Sequence, residues 1–395
     1  MKIRNRPQRI PDYTGNKIPL IDAVRLVSVL FVLGCHILFA SPFNPDFHDK
    51  EWQLFDSVFR DGAYGVTCFF VVSGFLITRL LAQSSPDWKR LPLKEFYIRR
   101  AARILPLFAA ILLVGLTAVL VIPTRDFRSI YIYRMTAGPA DPTFWCSMFT
   151  FSFNWFLCAT EKTKGFGYHW LVLWSLAVEE QFYLVYPLML RKLGKPRRIL
   201  IALVSLVCFG FVFRVAVQLA VPGSEYWSSF STFANVDQLA IGGILHFAHE
   251  NLRSQLQRNQ GQSWLFTTMG AAMVVWTYVQ SSHAVQLNRI FDTTTIAIGT
   301  GCFLLGGMNL KIFKSDLFDK LSTPGRYSYG FYLWHSTVLL IVWNHLPYQC
   351  GRTGILGTYF LAVYFVSWIS YRYFEHPANQ WVRTRLGIKT GPVIW

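Results

Sequence analysis

Charge is scarce in this chain, and acid is scarcer than base. Only 15% of its 395 residues are charged, and 21 Asp and Glu face 38 Lys and Arg, for a formal net charge of +17. With 53% hydrophobic and 17% aromatic residues and a mean hydropathy of +0.32, the composition excludes an ordinary soluble domain. Long polar linkers are missing, which leaves no room for a second folded domain. No internal repeat is visible, so the inverted-repeat signature of many transporters is missing too. The seven cysteines (Cys35, Cys68, Cys146, Cys158, Cys208, Cys302, Cys350) are scattered, with no CxxC and no Cys/His spacing suited to zinc. No metal site is expected from them, and buried apolar packing is.

Long apolar runs are what the chain does have. About 20 apolar residues span the hydrocarbon core of a bilayer, and runs of that kind predict an all-α, polytopic transmembrane bundle. Helices are expected at 18–40, 62–81, 96–122, 170–190, 199–221, 229–248, 264–280, 292–309, 328–346 and 354–374. The basic residues collect between them, at Lys2 to Lys17, Lys89 to Arg103, Arg191 to Arg198, Lys311 to Arg326 and Arg383 to Lys389. The positive-inside rule places those clusters in the cytoplasm, which yields about ten crossings with both termini cytoplasmic and explains the net charge without nucleic acid. The apolar run 143–157 is too short for a comfortable span and would upset this alternation. It is expected to be re-entrant or to lie at the outer surface. The first run is too long and too charged inside for a cleavable signal peptide. The division is then a cytoplasmic tail 1–17, a transmembrane domain 18–376, and a cytoplasmic tail 377–395 that begins where Pro377 should stop the last helix.

Ionisable groups inside such runs cost at least a few kcal/mol each and mark a functional interior. The first run, IPLIDAVRLVSVLFVLGCHILFA, holds Asp22, Arg25 and His36. Arg25 and His36 lie about three helical turns apart on nearly one face, roughly 16 Å along the axis. An imidazole there can take or give a proton, activate an acceptor hydroxyl, or carry an acyl group itself. The second helix offers Ser73-Gly74, a pair that lets a neighbouring helix or ligand approach closely. In IRRAARILP, Arg100 and Arg103 are one turn apart and can face one ligand, as a phosphate clamp would. WSLAVEEQFYLVYP buries Glu179 and Glu180 at mid-membrane depth, either in an ion pair with a residue such as Arg214 or as a carboxylate that orients the imidazole or holds a polar acceptor. Asp237 beside Gln238 poses the same alternative. GRYSYGFYLWHS presents Tyr327, Tyr329, Tyr332 and His335. A tyrosine belt at the membrane interface accounts for the first three but not for a histidine about two turns deep. Glu375 sits at the end of the last helix.

Together the stretches LIDAVRLVSVLFVLGCH, FFVVSGFLITRLL, FYIRRAARILPLF, WSLAVEEQFYLVYP, YSYGFYLWHS and YRYFEHP resemble the membrane acyltransferase 3 family, bacterial O-acyltransferases that decorate surface and secreted glycans. The stretches occur in family order and cover nearly the whole chain. The resemblance implies a bacterial cytoplasmic (inner) membrane, a cytoplasmic acyl-CoA donor (usually acetyl-CoA) with no bound cofactor, and an acceptor hydroxyl outside on a polysaccharide, lipopolysaccharide or glycolipid. It makes His36 the catalytic base or acyl carrier, puts Glu179 in the family's position after WSL, and assigns Arg25, Arg100 and Arg103 to the donor. Asp22, Ser73, Asp237, Tyr327, His335 and Glu375 complete the candidate substrate-binding set. Some relatives carry a further C-terminal esterase-like domain, and these residues run only a little past Trp381. Transfer is therefore expected to finish within the membrane domain or on a partner. The competing expectation is a transporter or flippase of a lipid-linked glycan, since buried Arg, His and Glu also suit a proton-coupled path.

Overall fold

A computed structural model of the chain describes residues 17–40, 50–121, 142–160, 168–221, 225–281, 286–345 and 351–388. The basic tail before Lys17, the loop 41–49, Cys350 and Lys389 lie outside the described residues. All the regular structure described is helical, with no strand among the described residues. The main elements are α1 (Pro19–Ala40), α2 (Lys50–Phe59), α3 (Tyr64–Ser84), α4 (Leu93–Val121), α5 (Pro142–Phe149), α6 (Phe153–Thr160) and α7 (Leu173–Leu193). They continue as α8 (Pro196–Ala220), α9 (Thr232–Arg258), α10 (Gln260–Ser281), α11 (Gln286–Gly307), α12 (Ser328–His345), α13 (Gly351–Ser370) and α14 (His376–Arg385).

Among the described residues six helices are long and apolar enough to cross a bilayer, including Pro19–Leu38, Leu93–Thr117 and Pro196–Ala220. The chain is a multi-pass membrane protein. Four further helices, α7, α9, α10 and α12, have 18 residues or more. On α9 the lower hydropathy has a structural reason: Asn235, Asp237, Gln238, His246 and His249 are buried in the bundle instead of facing lipid. The outward faces are apolar, as Leu184, Val212, Leu219 and Leu361 show.

The short apolar run resolves into α5 and α6, eight residues each, broken at Phe151, whose φ is +53°. Each is about 12 Å long, well short of a hydrocarbon core about 30 Å thick. Buried Phe144, Phe153 and Leu157 pack this elbow into the main core beside α7.

At the other end Pro377 does not stop the last helix. A π-type turn, Tyr371–Glu375, links α13 directly to α14, and Pro377 sits in the first turn of α14. The helix runs on through it, since Ser370, Glu375 and His376 all keep right-handed helical angles, and the π-type turn just before the proline is the local irregularity at which the missing N–H is accommodated. Helix therefore continues to Arg385, past the stop expected at Pro377.

Helices α3 and α9 set the geometry of the interior. A Cβ on Gly74 would lie 2.0 Å from the carbonyl oxygen of Leu239, and one on Gly242 would lie 2.1 Å from that of Val71. Only glycine allows the two backbones this approach, and it fixes the rotation of α3, hence the direction of Ser73. Gly242→Ala is expected to destabilise the protein towards the upper end of the ~1–3 kcal/mol typical of overpacking, because rigid backbone stands opposite. Thermal unfolding in detergent reads this, and an unchanged melting temperature would count against the close crossing.

Candidate active site

Arginine needs counter-charge at membrane depth, and the interior is arranged around three of them. A cavity of about 110 Å³ is lined by Arg25 of α1, Ser73 of α3, Arg100 and Arg103 of α4, Glu179 and Tyr183 of α7, and Tyr329 and Tyr332 of α12. Apolar side chains such as Phe69, Phe70, Leu76 and Leu176 complete the wall.

The two α4 arginines differ in how they are held. Arg103 is buried and donates to the Glu375 carboxylate at 2.9 Å, which also accepts from the Ser370 hydroxyl at 3.1 Å. The Tyr329 ring lies 5.0 Å from its guanidinium. Arg100 instead stacks over the Tyr183 ring at 3.7 Å and stands 3.8 Å from Glu179 and 4.0 Å from Glu180, beyond good hydrogen-bond distance. Its Nε is buried without a hydrogen-bond partner among the described residues. Arg100 is thus the guanidinium with donor capacity left for a ligand, while Glu375 already neutralises Arg103. Arg25 shares the field of Asp22, Arg103 and Glu179.

Glu179 accepts hydrogen bonds from the Ser73 hydroxyl and the Tyr183 phenol, which also contact each other. This triangle ties α3 to α7 at the cavity wall. Tyr183 had no part in the sequence reading, though its position four residues after Glu179 puts both on one helical face. The ion pair considered for Glu179 and Glu180 with Arg214 does not form. Arg214 pairs with Asp237 through bonds of 3.0 and 2.7 Å, and the Thr294 hydroxyl donates to the same carboxylate at 3.0 Å. Asp237 is absent from the cavity lining.

His36 lies outside the cavity lining as well, about three turns along α1 from Arg25. Its ring centroid is 4.9 Å from that of His335 on α12. In both rings Nδ1 meets a backbone carbonyl, Val32 at 2.8 Å for His36 and Tyr332 at 2.6 Å for His335. A carbonyl can only accept, so Nδ1–H donates in both rings, and in a neutral ring this leaves the lone pair on Nε2. The fully buried His335 Nε2 has no hydrogen-bond partner among the described residues. In this structure the His36 ring is held through Nδ1 by a backbone carbonyl, while Glu179 accepts from Ser73 and Tyr183. Tyr332 stands between the compartments, lining the cavity while its ring sits 5.8 Å from His335. Its phenol contacts the Val172 carbonyl and Ser175 at 2.8 and 2.7 Å.

Two other candidates have structural neighbours. Asp22 is buried and accepts from Arg326 at 3.4 Å, and its backbone oxygen would lie 1.8 Å from a Cβ on Gly325. Tyr327 packs edge-on against Tyr371 and Tyr364. Neither residue lines the cavity. Among the described residues no group of three His, Cys, Asp or Glu could hold a metal ion.

A family model described as an acyltransferase domain matches residues 18–372. The chain is 27% identical over 388 residues to a protein of Staphylococcus aureus (strain COL) whose name reads "Putative O-acetyltransferase", covering 91% of this chain and 57% of that one. It is 26% identical over 404 residues to O-acetyltransferase OatA of Staphylococcus aureus (strain NCTC 8325 / PS 47), covering 93% of this chain and 58% of that one. The chain thus spans little more than half the length of these relatives. No solved structure matches it.

Proposed function

The chain belongs to the acyltransferase domain family, and from that premise we propose that it is a membrane O-acyltransferase. It would move an acyl group, acetyl by its relatives' names, from cytoplasmic acyl-CoA to a hydroxyl of a surface or exported glycan. The proposal includes ten crossings of the cytoplasmic membrane with both termini inside. One observation carries it: a cavity faced by three arginines, with an imidazole about three turns further along the helix that supplies one of them.

In this reading a CoA phosphate docks on Arg100, whose loose contacts to Glu179 and Glu180 a phosphate can replace with charge-assisted bonds. Arg25 lines the same cavity. Arg103, neutralised by Glu375, forms part of the cavity wall beside it. The pantetheine arm passes Ser73, Glu179 and Tyr332 towards the histidine pair.

There the acceptor hydroxyl gives its proton to the Nε2 lone pair of His36 while its oxygen attacks the thioester carbonyl. The carbon–sulfur bond breaks, the CoA thiolate takes the proton from the imidazolium, and the ester leaves on the glycan. In a second route the imidazole attacks first and carries the acyl group to the same hydroxyl. His335 Nε2, which can only accept while neutral, gives the incoming hydroxyl a second acceptor beside His36 and helps to place it.

Membranes containing the protein, supplied with acetyl-CoA and extracted surface glycan, are expected to release CoA in step with acetyl ester on the glycan. Arg100→Ala should weaken CoA binding by about ten- to a hundredfold, as loss of a hydrogen bond to a charged group does. The weakening should grow less visible as salt rises, because salt screens the parent contact. Glycan export without CoA release would instead favour the flippase. Unchanged CoA affinity in Arg100→Ala would return that residue to membrane anchoring.

A further inference from the structure

A second cavity, of about 340 Å³, opens between the start of α1, the end of α3, α9 and the segment after α11. It shares no lining residue with the first cavity. The apolar cluster containing Leu20, on its own wall, and Val72, on the wall of the other, keeps the two apart. Its polar side is built from Arg79, Arg253, Lys314, Lys17, His249 and Glu250. Lys17 is paired with Asp319, and Glu250 lies 3.6 Å from His249. Among the described residues Glu250 is the one carboxylate on the lining, so Arg79, Arg253 and Lys314 outnumber it. Their fields overlap: Arg253 acts on Arg79, and burial together with Arg253 lowers the Lys314 ammonium from its ordinary value. Ordinary positive-inside anchoring explains cations spread over loops. It does not explain cations gathered round one open cleft large enough for a ligand group.

The opposite side of the cavity is apolar, with Leu20, Met308 and Phe313. Phe313 and Lys314 belong to a short 3₁₀ turn, Lys311–Lys314, followed by a helix, Asp316–Ser322. That segment exposes Ile312 by 57%, Leu317 by 69% and Leu321 by 65%, with Lys311, Lys314 and Lys320 among them. Exposed apolar residues interleaved with lysine suit the boundary between headgroups and acyl chains.

We propose that this cavity is a binding site for the phosphate headgroup of an anionic phospholipid. Arg79, Arg253 and Lys314 hold the phosphate, and the acyl chains leave along Phe313 and Ile312. The cations are too many for one carboxylate, and a phosphate adds the missing negative charge and several strong acceptors. The exposed apolar rim favours a lipid over a soluble phosphate. The site would clamp α1, α3 and α9 together where the chain meets the membrane surface.

Native mass spectrometry of the full chain, purified in neutral detergent from bilayers of phosphatidylglycerol or phosphatidylcholine, tests this. Phosphatidylglycerol should be retained and phosphatidylcholine lost. The double variant Arg79→Gln/Arg253→Gln should retain phosphatidylglycerol about thirtyfold more weakly, as expected for two cations at a membrane surface. The exposed Lys314→Gln should weaken it about fivefold and serves if the double variant unfolds. Equal retention of both lipids, or full retention by Lys314→Gln, would overturn the site. Displacement of the lipid by adenosine 3′,5′-bisphosphate at equal concentration would reassign it to a soluble nucleotide, and displacement by inorganic phosphate to a free anion. Lipid retention is read without donor or acceptor, so its outcome is separate from that of acyl transfer.

Discussion

His36→Ala is expected to fold and to transfer no measurable acyl group, a loss of at least the ~10²–10⁴-fold that a positioned acid–base group supplies. Among the described residues the ring makes one hydrogen bond, Nδ1 to the Val32 carbonyl within its own helix, so its removal costs no hydrogen bond between helices, only the ring contact with His335. What goes is the Nε2 lone pair beside His335 and, in the acyl-carrier route, the nucleophile itself. CoA release in membranes reads the activity, and a melting curve in detergent reads the fold. CoA binding should survive, because Arg100 and Arg103 lie in the other compartment. Turnover close to that of the parent would remove His36 from the mechanism. His335→Gln provides the control: an amide there keeps polar capacity next to His36, and its loss of rate should be smaller and fall on the acceptor KM before kcat.

Breaking the Arg214–Asp237 pair should have the largest effect on stability. Asp237 has no exposed surface and Arg214 has 2%, and both guanidinium NH groups reach the carboxylate. Arg214 also donates to the Ala234 carbonyl and to Thr294, so one side chain joins α8, α9 and α11. Asp237→Leu leaves a cation buried without its partner, and Arg214→Met leaves the carboxylate so. Each should cost about 3–5 kcal/mol. The double variant, which removes both charges, should recover most of that. Unfolding in detergent supplies the cycle, and CoA binding by the folded fraction should stay near the parent value. Single variants that melt like the parent but bind CoA poorly would return Asp237 to the donor site, where the sequence had placed it as one alternative.

The interior shows which parts of this site could be read from local pattern. A carboxylate at mid-membrane depth had to have a partner, and the need is legible in WSLAVEEQF. The partner was not: Arg214 was a reasonable guess, yet Ser73 and Tyr183 hold Glu179, with Arg100 further off. Likewise Arg-x-x-Arg promised two equivalent arms of a clamp. The structure makes them unequal, since Glu375, 272 residues away in sequence, takes Arg103 and leaves Arg100 looser. Tyr327, Tyr329 and Tyr332 look alike as a belt, but only Tyr329 and Tyr332 line the cavity.

By itself the sequence determined that this is a helical membrane protein, where its long helices run, and that one face of the first carries Arg25 and His36. These follow from local rules: a bilayer admits backbone only as closed hydrogen-bonded helix or barrel, and helical periodicity sets which residues share a face. The acyltransferase resemblance was legible for the same reason, in short contiguous motifs. Only the tertiary structure decided that His36 meets His335, that Asp237 belongs to Arg214, that Pro377 begins a turn of helix, and that Arg79, Arg253 and Lys314 surround a second cavity. Each of these depends on how helices distant in sequence are ordered and rotated against one another. That is settled by close packing, such as the glycine contact of α3 with α9, which no period within a single helix records.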